Sequence, residues 1–141
     1  MIYLSLGANS GNEHENLASA RRLLEEGGLK IIGASSEIVT KAWGIENQSD
    51  FVNQVLRVEF NDDFEGEESP YTLLYICQRV ERKLGKVMAS DDDYIKWGPR
   101  TIDIDILKYD EIESWDPELR LPHHTTEKDY IKDLISEICS S

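Results

Sequence analysis

At 141 residues the chain reads as one domain spanning 1–141, long enough to bury a core of its own. Its 40% hydrophobic and 30% charged content fits an ordinary globular protein, and no apolar run approaches the roughly 18 residues of a membrane span. A net charge of −13 argues against nucleic acid as a partner, whose phosphates need a basic face. It leaves a small phosphorylated ligand open, because seven of the fifteen basic residues fall between Arg79 and Lys108. The apolar start Met1–Leu6 is too short for a signal peptide, so a cytoplasmic location is expected, with no membrane partner. Cys77 and Cys139 lie far apart with no metal-ligand spacing, which disfavours structural zinc.

Taken in order, Ile2–Leu6 reads as a short buried strand ended by the turn-rich Gly7–Gly11. That loop lacks the Gly-Lys-Ser/Thr ending of a P-loop and is weak support for phosphate binding. Asn12 with Glu15 resembles a capping box, Leu17, Ala20 and Leu24 line one helical face, and Gly27–Gly28 stops the helix. Leu29–Val39 is expected to be a second strand, followed by a polar loop through Asp50. Phe51–Phe60 is a third, with Val52, Leu56, Val58 and Phe60 on the core face and Phe51, Asn53, Val55 and Arg57 on the other. Phe51 and Asn53 suit stacking on a flat ring and bonding to its edge, although exposed strand aromatics usually do neither.

Asn61–Glu68 is an acidic connection, and Ser69–Pro70 marks a helix start as N-cap and first residue. Leu73, Ile76, Cys77, Val80 and Leu84 form the buried stripe of that helix. Gln78 and Glu81 share a different face, and Gly85 ends the helix. A polar loop, Lys86–Lys96, carries Asp91–Asp92–Asp93. After Tyr109 comes a loop, then Leu121–Pro122–His123–His124 and a last helix from about Thr126 to Cys139. Strand–helix–strand–strand–helix–strand is the split βαβ order. The expected fold class is therefore α+β: a ferredoxin-like βαββαβ core with an antiparallel sheet and an added C-terminal helix.

The stretch from Lys96 to Leu107 carries most of the chemistry. Ile102, Ile104 and Ile106 alternate with Asp103 and Asp105, so a strand sends the isoleucines to the core and both carboxylates to the opposite face, roughly 7 Å apart along the backbone. Like charges that close repel unless a cation intervenes, and Mg2+ favours such oxygens while keeping positions for water and phosphate. Trp97 and Arg100 flank the Gly98–Pro99 turn just upstream. An edge strand with an acidic solvent face is the plain alternative for an isolated Asp-x-Asp.

With Leu6–Gly7–Ala8–Asn9, Asp50–Phe51–Val52–Asn53, Gln78–Arg79–Val80–Glu81, Trp97–Gly98–Pro99–Arg100–Thr101–Ile102–Asp103–Ile104–Asp105–Ile106 and Leu121–Pro122–His123, the chain resembles the 6-hydroxymethyl-7,8-dihydropterin pyrophosphokinases nearly end to end. The resemblance implies transfer of the terminal diphosphate of ATP to the pterin hydroxymethyl oxygen, giving AMP, in folate biosynthesis. It implies two Mg2+ ions on Asp103 and Asp105, with Arg100 and Lys86 catalytic. For ATP it implies Gln78, Glu81, Lys96, Arg100, Ile106, Arg120, His123 and His124, His123 being favoured over its neighbour. For the pterin it implies Thr40, Trp43, Phe51, Asn53, Trp97 and Tyr130, and the protein is expected to be a monomer. The chain departs from the family at Lys86, where arginine is usual, and at Met88, where a basic residue is. Its loops at 61–68 and 88–96 are longer than common. The segment from Met88 to Gly98 is expected to order over bound nucleotide. Two other functions compete: a non-catalytic pterin- or nucleotide-binding module, which would need neither the carboxylate pair nor the arginine, and a different metal-dependent phosphotransferase or phosphatase using Asp-x-Asp, the phosphatase lacking its downstream lysine and acidic motif.

Overall fold

The computed structural model describes residues 1–9, 11–41, 50–85 and 102–139. Four long strands make the main sheet: β1 (Ile2–Ala8), β2 (Leu29–Ala34), β4 (Phe51–Phe60) and β5 (Asp103–Tyr109), in the order β2-β4-β1-β5. A short β3 (Ile38–Thr40) also pairs with β4, and every pairing is antiparallel. Helices α1 (Glu13–Glu26) and α2 (Pro70–Lys83) cross between these strands, which realises the expected α+β order.

Period-two alternation gives the sheet two apolar faces. Leu4, Leu6, Leu56, Ile104 and Ile106 join Leu17, Ala20, Leu24, Leu73, Ile76, Cys77 and Val80 in the main core under α1 and α2. Tyr3, Val55 and Leu107 turn the other way and meet Ile131, Leu134 and Ile138 of α3 (Asp129–Ile138) in a smaller core. Because α3 is ten residues long, it covers only part of the second face. The end of that face that no described helix covers becomes the site.

Four expectations need correction. Leu29–Val39 is two strands: the three residues between Ala34 and Ile38 face the two between Leu56 and Asn53, so one residue is extra, as in a bulge. The cause is Ser35, whose Oγ accepts the Val55 N–H at 2.9 Å while its own N–H goes to the Val55 carbonyl. Asn12 makes no side-chain cap for α1; the Glu13 carboxylate turns back to accept the Gly11 N–H instead. The last helix is split. A 3-10 turn (His124–Glu127) capped by the His123 ring precedes α3, with Lys128 extended between them. The loop after Tyr109 contains a hairpin of β6 (Ser114–Asp116) and β7 (Leu119–Leu121) that strand periodicity over three residues was too short to reveal. As expected, Ser69 caps α2 by accepting the Thr72 N–H, with Pro70 first in the helix.

Candidate active site

The register of the sheet brings distant residues into rows. Gly7 of β1 lies between Asn53 of β4 and Asp103 of β5. One row along, Ser5 lies between Val55 and Asp105, while Thr40 of β3 stands opposite Phe51. Beyond the end of α3 these residues, apart from the core residue Val55, floor an open cleft of about 590 Å3, with Tyr130, Lys128 and Thr125 along its rim. The two carboxylates therefore stand on one wall and the Phe51–Asn53 pair on the other. Glycine at position 7 is a requirement of this geometry, since a Cβ there would meet Asn53 Oδ1 at 3.0 Å and the Phe51 ring at 3.7 Å.

Asn53 is held in place, its Nδ2 donating to Thr40 Oγ1 at 2.6 Å. That bond assigns the amide so that Oδ1 lies toward Gly7. Tyr130 is half-buried in the first turn of α3, and burial, then the charge of Asp105, pushes its phenol pKa up, so it stays protonated at neutral pH.

His123 faces the same wall, its Nε2 lying 3.8 Å from Asp105 Oδ1, too far for a hydrogen bond. Its Nδ1 accepts the Thr125 backbone N–H at 3.2 Å, so the neutral ring carries its proton on Nε2. Burial lowers the ring's pKa, and the neighbouring charges of His124 and Lys128 lower it further, which keeps it neutral at pH 7. A neutral donor 3.8 Å from the Asp105 carboxylate suits a phosphate oxygen bound beside it. His124 stacks on it with ring centroids 4.5 Å apart.

Of the other expected residues, Gln78 is exposed on α2, and exposed Arg120 lies over the Trp115 ring, 4.3 Å from its centroid. The Ile106 side chain is committed to the main core. Glu81 does not stand beside Gln78 at the surface. It is buried, and its Oε2 accepts the Ile104 N–H at 2.8 Å. Lys86, Lys96, Trp97 and Arg100, with the 88–98 segment, lie outside the described residues, as does Trp43. Sequence reasoning missed Ser5, Lys41, Thr125 and Lys128 as cleft residues. For Ser5 the signal was available, because the outward face of β1 reads Tyr3, Ser5, Gly7 and so shrinks toward the cleft.

A second groove of about 540 Å3 lies between α1 and α2, lined in part by Leu23, Tyr71, Tyr75 and Arg79. Neither Asp103 nor Asp105 lines it, so it has apolar walls and two basic side chains, Arg79 and Lys83, but not the carboxylate pair that could hold a metal.

The family model described as 7,8-dihydro-6-hydroxymethylpterin-pyrophosphokinase matches residues 3–140. The chain belongs to that family. Among its relatives is a 2-amino-4-hydroxy-6-hydroxymethyldihydropteridine pyrophosphokinase of Aquifex aeolicus, 37% identical over 90% of this chain and 72% of that protein. The protein of the same name from Methylorubrum extorquens is 34% identical over 86% and 70%, and that from Porphyromonas gingivalis 32% identical over 98% and 90%. Pyrophosphokinase activity in folate biosynthesis goes with membership of this family, as does the use of ATP. No described helix is long and apolar enough to cross a membrane.

Proposed function

We propose that this pyrophosphokinase takes 6-hydroxymethyl-7,8-dihydropterin on the Phe51–Asn53 wall of the cleft and the ATP triphosphate on the Asp103–Asp105 wall, transferring the terminal diphosphate between them with release of AMP. The observation that carries this reading is the register of β4, β1 and β5, which sets the two walls on either side of Gly7 and Ser5. Phe51 offers a ring face, and Asn53, fixed by Thr40, offers Oδ1 to the donors along a pterin edge. Tyr130 lies on the same cleft and suits the opposite ring face.

Asp103 and Asp105 fit Mg2+: they are hard oxygen donors, they line an open cleft, and two carboxylates leave room for phosphate oxygens and water. They would hold two ions, and when bound these neutralise triphosphate charge and favour ionisation of the attacking hydroxymethyl group. The protein's own part is positioning, the main task in such transfers. His123 Nε2–H is directed at a phosphate oxygen beside Asp105, with Lys128 nearby as a cation. Arg100, with its planar fork, and Lys86 and Lys96 are assigned to the phosphates on the family resemblance. Gln78, Arg120 and His124 are assigned to the nucleotide on the same ground. The protein is read as a cytoplasmic monomer.

Incubation with ATP, Mg2+ and the hydroxymethyl pterin should yield AMP, with no AMP when the pterin is left out. ADP as the main product would refute the reading. Phe51→Ala and Asn53→Ala should each weaken pterin binding by about 1–3 kcal/mol, roughly 5- to 150-fold, while ATP binding stays nearly unchanged. Calorimetry with each ligand checks this, and an equal loss for both would mean the wall is misassigned.

A further inference from the structure

Among the described residues Glu81 is the one charged side chain that is buried. It sits on α2 one turn beyond Cys77, within the helix face that covers β5. Burying a carboxylate costs several kcal/mol unless hydrogen bonds compensate. Here the compensation includes a backbone bond of 2.8 Å to the Ile104 N–H. The thiol of Cys77 senses the same arrangement, since its pKa is pushed up by burial and then by the charges of Glu81 and Asp105.

The choice of that amide has a consequence. Among the described residues β5 ends the sheet, and in an antiparallel ladder alternate residues turn their N–H groups toward the neighbouring strand or away from it. Ile104 stands opposite Leu6, between the Asp103–Gly7 and Asp105–Ser5 pairs. Its N–H is taken from the outer side by Glu81, so β1 holds the strand on one edge and α2 on the other. The anchored amide lies midway between the two carboxylates. An edge strand held by a single neighbour would be free to twist, and twist changes how the two carboxylates converge.

We propose that Glu81 is a positioning residue: by accepting the Ile104 N–H it fixes the backbone between Asp103 and Asp105 and so sets their geometry for Mg2+. This rests on the reading that the pair holds the metal, and the experiment separates the two. Glu81→Gln keeps a carbonyl acceptor of the same reach. Glu81→Met keeps the volume and removes the acceptor; losing a buried charge offsets part of the cost of leaving the Ile104 N–H without its partner. Asp105→Asn serves as the control for the metal reading. The measurements are amide hydrogen exchange at Ile104 in the free protein and Mn2+ affinity by EPR in the presence of α,β-methylene-ATP.

Glu81→Met should speed exchange at Ile104 at least tenfold and weaken Mn2+ binding by about 10–100-fold, the usual cost of losing such support. Glu81→Gln should stay within about threefold of the natural protein in both readouts. Unchanged Mn2+ affinity in Glu81→Met, alongside a clear loss in Asp105→Asn, would overturn the proposal and leave the metal reading standing. Unchanged affinity in both variants would overturn the metal reading, and the proposal with it. A loss in Glu81→Gln equal to that in Glu81→Met would overturn it too, because charge rather than the bond would then matter. So would an equal weakening of analogue binding with metal chelated, which would mark Glu81 as a direct nucleotide contact.

Discussion

Asp103→Asn and Asp105→Asn are each expected to cut turnover on the order of a thousandfold while leaving the fold intact. The size follows from what the pair is assigned to do. Losing a charge-stabilising group at a transferring phosphoryl costs about 3–4 kcal/mol, and each 1.4 kcal/mol is roughly tenfold in rate. The fold should survive because both side chains face the cleft, whereas Ile102, Ile104 and Ile106 are what anchor the strand in the core. Like charges on one strand face repel, so either variant should melt no lower than the natural protein when metal is absent. Steady-state rates at saturating ATP and Mg2+, paired with thermal melts in chelator, check both halves. Near-normal turnover would remove the carboxylates from the mechanism.

Leu6→Ala is expected to lower stability by about 2–5 kcal/mol, a large share of the 5–15 typical of a domain. Leu6 is fully buried on the central strand β1, between Gln54 and Ile104, where the surrounding side chains cannot collapse without disturbing both neighbours. Leu134→Ala makes the same deletion in the smaller cluster under α3. It should cost less, nearer the 2 kcal/mol end, but it should also weaken pterin binding, because α3 carries Tyr130 at the cleft. Urea titration gives the stabilities, and calorimetry the affinity. A Leu134→Ala protein with full pterin affinity would show that Tyr130 does not depend on the seating of α3.

Much of this was legible in the chain. Alternation of Ile and Asp placed both carboxylates on one face, and Ser69–Pro70 located the start of α2, because each depends on local periodicity or backbone chemistry that the residues themselves carry. What was not legible depends on pairing across the sheet. The bulge at Ser35 arises because its hydroxyl competes for the Val55 N–H, a partner twenty residues away. Glu81 reads as a surface neighbour of Gln78 three positions earlier, and only its bond to Ile104 shows that α2 turns it inward. The cap of the 3-10 turn comes from His123, a residue that the pattern marks for chemistry rather than for ending a helix.

The most direct measurement is a crystal structure of the complex with Mg2+, α,β-methylene-ATP and the hydroxymethyl pterin. It should show the pterin ring on Phe51 with its edge on Asn53, and the triphosphate held through metal at Asp103 and Asp105. The hydroxymethyl oxygen should lie about 3–3.5 Å from the β-phosphorus, the distance of a near-attack geometry. A pterin bound instead in the groove between α1 and α2, against Tyr71 and Tyr75, would contradict the account.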